Sequence, residues 1–207
     1  MSSSRIAARR ARAVESLRTA AEAIGPVEAG LSVFAVTRGQ WSMIDAIRYL
    51  AAQVAPADVS VWTWCIADYE AECFEGLMAD GAIGSALLVI DQSGARRTPE
   101  LVGRWQARFG PESVRICLNH AKRSRIAGRG LRMLARGSMN LNANPRFEQF
   151  DLTEGGPEFG LVAELEASLP VLGPVWSHRE AVEASGVAEA WPAGELRRFE
   201  AGKVWAK

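Results

Sequence analysis

Apolar positions along the chain switch between a period of two and a period near 3.6, and the switching predicts a layered α/β domain. Leu31 to Thr37 (L-S-V-F-A-V-T) is rich in β-branched and aromatic residues and reads as a strand, with Gly39 marking the turn after it. Ser42 then stands where a helix cap belongs, and Ile44, Ile47, Ala51 and Val54 recur at helical spacing until Pro56. Val59 to Ile66 predicts a second strand, Tyr69 to Ala79 a second helix, and Ala86 to Ile90 a third strand too apolar to be exposed on either face. Thr98-Pro99 opens a third helix with Val102, Trp105 and Phe109 on one side, and Val114 to Leu118 is a fourth strand. The order β-α-β-α-β-α-β predicts a mixed, largely parallel sheet flanked by helices.

Past the fourth strand the pattern becomes antiparallel. Ala121 to Ile126 and Leu131 to Arg136 flank Ala127-Gly128-Arg129-Gly130, whose glycines supply the positive φ angles of a tight hairpin. Pro145 closes the next loop, and Arg146 to Leu152 predicts a further strand. At the front, Arg5 to Ile24 is rich in alanine, arginine and leucine, which predicts a basic helix ended by Gly25-Pro26, with its arginines as a solvated face. At the back, Phe159 to Leu169 predicts an amphipathic helix with Leu161, Val162, Leu165 and Leu169 on one side. The organisation expected is a basic helix over 1–26, a central domain over 27–154 and a helical extension over 155–207.

Composition narrows the function classes. Three cysteines, Cys65, Cys73 and Cys117, show no C-x-x-C spacing, which predicts reduced thiols in a cytoplasmic protein. No apolar run approaches the length of a membrane span, so no membrane partner is expected. Basic and acidic residues balance at 24 each, yet eight basic residues and no acidic one lie between Ser113 and Phe147. A polyanion is the partner such a run suits. Trp62, Trp64 and Trp105 fall on predicted strand and helix faces and are expected in the core. No G-x-x-x-x-G-K-[ST] loop occurs, and neither a cofactor nor a metal is expected.

The chemistry concentrates between Leu118 and Leu152. His120 and Lys122, placed on one face of an extended segment, would stand about 6 to 7 Å apart along the backbone and reach one phosphate together. Gly137-Ser138-Met139-Asn140 adds a glycine that lets backbone approach a ligand, a hydroxyl and a carboxamide. Glu148 is the first acid after the basic run.

His120-Ala121-Lys122 followed by Gly137-Ser138-Met139-Asn140 resembles the phospholipase D superfamily, whose signature is H-x-K, an aspartate a few residues on, and G-S-x-N. The resemblance spans about residues 31–152 and implies a phospholipase D-like fold with the motif carried on the hairpin. It implies that His120 is the nucleophile that forms a phosphohistidine, and that Lys122 offsets charge on the non-bridging oxygens. Ser138 and Asn140 would complete the phosphate cradle, and Glu148 would be the carboxylate that orients a histidine. The chain departs from the signature at Ala127, where the aspartate would fall.

Enzymes of this family use two H-x-K motifs, one histidine as nucleophile and one as general acid; this chain has one. His178, in Ser177-His178-Arg179-Glu180, reads as a histidine at a helix start. The resemblance therefore implies a homodimer that brings two copies of His120 together. Single-motif members are nucleases, so DNA or RNA is the expected substrate of a metal-independent phosphodiesterase, with Arg123, Arg125, Arg129, Arg132, Arg136 and Arg146 binding its backbone. The alternative is a non-catalytic nucleic-acid-binding or assembly protein on the same fold, of a phage or mobile element.

Overall fold

The structure, a computed structural model, describes residues 10–15, 18–143, 145–173 and 175–186. Among the described residues, eight strands form one mixed sheet: β1 (Arg10–Glu15), β2 (Leu31–Thr37), β3 (Ala57–Thr63), β4 (Ile83–Asp91), β5 (Val114–Cys117), β6 (Arg123–Gly128), β7 (Leu131–Gly137) and β8 (Glu148–Glu154). Their spatial order is β1-β2-β8-β7-β6-β3-β4-β5. Parallel pairing joins β1 to β2, β3 to β4 and β4 to β5, whereas the four central pairings, β2/β8, β8/β7, β7/β6 and β6/β3, are antiparallel. The sheet is thus mixed as expected but not largely parallel. The hairpin and β8 insert between β2 and β3, so the β-α units inferred from the sequence are split between the two flanks of the sheet.

Among the described residues, seven α-helices accompany it: α1 (Ala20–Ile24), α2 (Met43–Val54), α3 (Asp68–Ala79), α4 (Gln92–Arg97), α5 (Pro99–Phe109), α6 (Pro157–Ser168) and α7 (His178–Ala184). Helix α2 begins at the expected Ser42, which forms a capping box with Asp45, and Met43, Ile44, Ile47, Leu50, Ala51 and Val54 are buried along it. Helices α1 to α5 contribute to one large apolar core on one face of the sheet, which includes Val33, Val61, Leu88, Phe74, Trp105 and Phe150. On the other face a smaller cluster gathers Trp62, Val89, Cys117, Leu134 and Val162 beneath α6.

The N-terminal segment departs from the expected helix. R-A-R-A-V-E alternates with a period of two, and residues 10–15 pair in parallel with 31–36 as β1. Strand pairing outweighs the helix propensity of alanine and arginine, which is a weak preference per residue. Among the described residues of this stretch, the helical ones are Ala20–Ile24, capped by Thr19 and ended, as expected, at Gly25. Arg5 and Arg9 lie outside the described residues, as do Trp191 and Trp205.

In the extension, α6 turns Phe159, Val162 and Glu166 inward, while Leu161 and Leu165, expected on the buried side, are 58% and 41% exposed. His178 is indeed the first residue of α7, with Ser177 and Glu180 forming a capping box. Trp62 and Trp105 are core residues, but Trp64 is only half-buried and sits under the Arg97 guanidinium, 4.4 Å from the ring centroid. Among the described residues, no helix is long and apolar enough to cross a membrane.

Candidate functional site

Strand directions place the candidate residues at one edge of the sheet. β2, β3, β4, β5 and β7 run the same way, so Thr37, Thr63, Asp91, Cys117 and Gly137 end at the edge where β6 and β8 begin. Open α/β sheets commonly bind ligands at the carboxyl ends of such strands.

Two residues outside the H-x-K and G-S-x-N motifs hold this edge together. Asn119, 5% exposed, donates its backbone N–H to Asp91 Oδ2 (3.0 Å), while its Nδ2 donates to the carbonyls of Thr63 (3.0 Å) and Val89 (3.3 Å). Its Oδ1 accepts from Ala121 N (2.9 Å), which sets the course of the chain through His120. Asp91 also caps α4 by accepting from Ser93 N (2.8 Å). Burial alone would raise the Asp91 pKa, but hydrogen bonds from Ser93, Asn119 and Trp64 outweigh it and hold the carboxyl below its usual value. The signal for Asp91 was present in the sequence, since D-Q-S directly after an apolar strand is a helix cap. Asn119 had none.

Lys122, expected in a strand over Ala121 to Ile126, lies before it, since β6 begins at Arg123, and His120 lies between strands as expected. They occupy the extended link between β5 and β6. His120 is exposed and Lys122 half-buried, with Lys122 Nζ 3.2 Å from His120 Nε2 and donating to the His120 carbonyl at 2.8 Å. An ammonium has only donors, so in this contact Nε2 is the acceptor and the ring proton belongs on Nδ1. Burial lowers the Lys122 pKa, opposed by Cys65, Glu148 and Asp91. Those three neighbours put Cys65 and Glu148 within electrostatic reach of the ammonium.

The G-S-x-N segment lies against the same link, with Gly137 N donating to Lys122 O at 3.1 Å. Gly137 admits a backbone rather than a ligand: a Cβ there would stand 2.0 Å from the Gln149 carbonyl oxygen. Ser138 Oγ donates to Glu148 Oε2 and accepts from Gln149 N (2.9 Å). The Glu148 contact shown is thus to Ser138, where the resemblance implied a histidine. Asn140 Oδ1 accepts from Trp64 N (3.2 Å), and Leu141 continues as a bridge to Ile66, so the loop is stitched to the end of β3. The carboxamide nitrogen of Asn140 remains as a donor at this edge.

The six arginines expected to bind nucleic acid are not one surface. Arg123 and Arg125 point from β6 toward α6: Arg123 stacks on Trp62, 3.9 Å from the ring centroid, and Arg125 pairs with the buried Glu166 at 2.6 Å. Glu166 also accepts from Trp62 Nε1 (2.9 Å) and Ser60 Oγ, so four donors fill its two oxygens. Burial lowers the Arg123 pKa, against the pull of Glu166 and Cys117. Arg136 pairs with Glu158 at 3.4 Å. Arg129 donates to the Ala55 carbonyl at 2.9 Å, at the hairpin end, roughly 23 Å of strand away from Lys122, and Arg132 lies at that end too. Arg146 alone of the six is exposed in the loop leading into β8 at the site edge. Arg97, which was not expected, joins it there: it stacks on Trp64 and acts with Lys122 on the Cys65 thiol, whose pKa burial raises.

The hairpin turn itself has left-handed φ at Arg129 (44°) and Gly130 (81°), not at Gly128. Gly128 is required for a different reason, because a Cβ there would meet the Val54 carbonyl oxygen at 2.2 Å. Ala127 pairs with Asp58 near this turn, roughly 16 Å of strand from Lys122. The departure from the signature therefore falls at the far end of β6.

A groove of about 620 Å³ opens beside the site between α6 and the sheet, with Lys122 and Ser138 lining it together with Leu134, Leu161 and Asp151. Among the described residues, no cluster of three or more His, Cys, Asp and Glu side chains is arranged to hold a metal ion. No protein-family model matches the chain, and no curated protein matches it.

Proposed function

We propose that the protein is a phosphodiesterase acting on nucleic acid, similar in chemistry and fold to the phospholipase D superfamily, with His120 as nucleophile. The observation that carries this reading is Lys122 Nζ at 3.2 Å from His120 Nε2, at an exposed strand-end edge with Ser138 and Asn140 alongside. A nucleophilic nitrogen needs an unprotonated lone pair, here the one that accepts from the Lys122 ammonium, and a phosphate oxygen needs a cation beside it; the pair supplies both when the ammonium passes from Nε2 to the phosphate.

In the proposed reaction Nε2 attacks phosphorus, a P–N bond forms and the bond to the leaving oxygen breaks. Lys122 and the Asn140 amide neutralise and bind the non-bridging oxygens. The leaving oxygen takes its proton from His120 of a second copy of the chain, as the single H-x-K motif implies; His178, the other described histidine at this end of the sheet, is engaged with Gln92 through Nδ1 at 2.9 Å. Water then attacks phosphorus, the P–N bond breaks, and the proton of that water returns to the second histidine. Ser138 holds Glu148 and the start of β8 in place.

The test is cleavage of single- and double-stranded DNA and RNA in excess chelator by the wild type, His120→Ala and Lys122→Ala. Cleavage that survives chelator and is lost in His120→Ala supports the proposal. Binding without cleavage in the wild type, unchanged in His120→Ala, overturns it and leaves the non-catalytic binding protein as the better reading.

A further inference from the structure

The sheet edge that carries His120 and Lys122 also carries an exposed aromatic ring that the phosphate chemistry leaves unused. Thr37 and Glu148 are the last register pair of β2 and β8, so the next residues outward, Arg38 and Phe147, stand opposite each other. Phe147 is 70% exposed, yet its ring is oriented: the Arg38 guanidinium lies over one face, 5.0 Å from the centroid, and Glu15 holds that guanidinium at 2.5 Å. At that exposure the opposite face of the ring is open to solvent.

The charges along the edge suit a polyanion. The carboxylates of this corner accept hydrogen bonds within the fold, Glu15 from Arg38 and Glu148 from Ser138, while Asp151 accepts from Gln149 and stands opposite Arg136 in the β7/β8 register. Arg146, the residue before Phe147, is exposed. Strand order sets the layout: from β8, into which Phe147 leads, β6 is two strands away and β3 three, with Lys122 just ahead of β6 and Trp64 just past β3. Along the edge Lys122 is therefore about 10 Å from the ring, and Trp64, with Arg97 stacked on it, about 5 Å farther.

We propose that Phe147 is a base-stacking platform for single-stranded nucleic acid, holding an unpaired base while a phosphate of the same strand lies at His120 and Lys122; the proposal rests on that phosphate-site reading. Every base has a π face that lies against a phenyl ring, so the platform distinguishes unpaired from paired bases and does not read sequence. Inside a duplex both faces of each base are already stacked, and Phe147 gains nothing there. Arg38 fixes the plane of the ring before the strand arrives, which lowers the ordering cost of binding. Arg146, Lys122 and Arg97 meet the phosphates of the strand to which the base belongs.

The experiment is fluorescence anisotropy at low salt with a labelled oligothymidylate, an abasic strand of the same length and a duplex of that length. Every chain carries His120→Ala, so that no strand is cut during the measurement. Adding Phe147→Ala weakens oligothymidylate binding at least about fivefold, the factor expected for one lost stacking contact, and leaves the abasic strand and the duplex within about twofold. Phe147→Trp restores the affinity; Phe147→Leu, apolar but without a π face, does not. The salt dependence keeps its slope in Phe147→Ala, because no phosphate contact is removed. Equal weakening of all three ligands, or of none, overturns the platform and leaves the phosphate site standing. A lower sedimentation mass in Phe147→Ala with oligothymidylate affinity unchanged also overturns it, and assigns the ring to contact with a second copy of the chain. No binding of any of the three ligands, by the wild type or by His120→Ala, overturns both readings.

Discussion

Lys122 and Arg125 are three residues apart in the same basic run, and the fold puts their charges to opposite uses. Lys122 lies just outside β6, half-buried at the sheet edge, with its ammonium against His120. Arg125 lies inside β6 and is carried under α6, where Glu166 matches it. Arg123 and Arg136 share the second fate through Trp62 and Glu158. A count of cations in a sequence measures available charge; the presence or absence of a covering helix decides how much of it faces a ligand.

The largest expected effect lies on the covered side. Glu166→Ala leaves the partly buried Arg125 without its counter-charge and strands the Trp62 and Ser60 donors, costing about 3–5 kcal/mol in denaturant unfolding. If the loss is under about 1 kcal/mol, the contrast between the two sides fails. Asp91→Ala comes next at roughly 2 kcal/mol, because Asn119 N and the start of α4 lose a charged acceptor.

Asp91 also gives an acid signature. Its folded pKa lies below the ordinary 3.8, so its contribution is complete above that value and disappears as pH falls through the folded pKa. Unfolding free energy followed below pH 4 should drop less steeply in Asp91→Asn than in the wild type; identical acid limbs would remove Asp91 from this role.

Smaller effects test the exposed side. If only Lys122, Arg97 and Arg146 meet phosphates, log affinity against log salt for single-stranded nucleic acid has a slope of about −2, where eight contacts would give about −6. Arg129→Ala combined with Arg132→Ala should shift that affinity by less than about twofold, measured by fluorescence anisotropy. Ala127→Asp should change least. It restores the signature aspartate opposite Asp58, costs at most about 1 kcal/mol through like charge, and leaves cleavage unaltered because the position is far from His120. A rise in cleavage in Ala127→Asp would show that the far end of β6 is coupled to the site.

Local pattern carried much of the architecture. Strand β2 has the expected bounds, α2 and α5 start at Ser42 and Thr98 as their caps and proline indicate, and the hairpin turn falls on Arg129-Gly130. The site motif was legible for the same reason, since His120, Lys122, Ser138 and Asn140 are close in sequence and meet at one edge. The supporting shell was not: Asp91 ends β4 and Trp64 follows β3, and nothing in the local sequence ties them to Asn119 or Asn140.

The amino-acid sequence by itself determined where elements begin and end, through periodicity, caps and the φ angles its glycines permit, all of which act within a few residues. The tertiary structure alone decided that R-A-R-A-V-E is a strand, that the hairpin and β8 part the β-α units, and that α6 covers Arg123 and Arg125. These outcomes depend on which surfaces meet across long separations of chain. A residue's own neighbours in sequence carry no record of that choice.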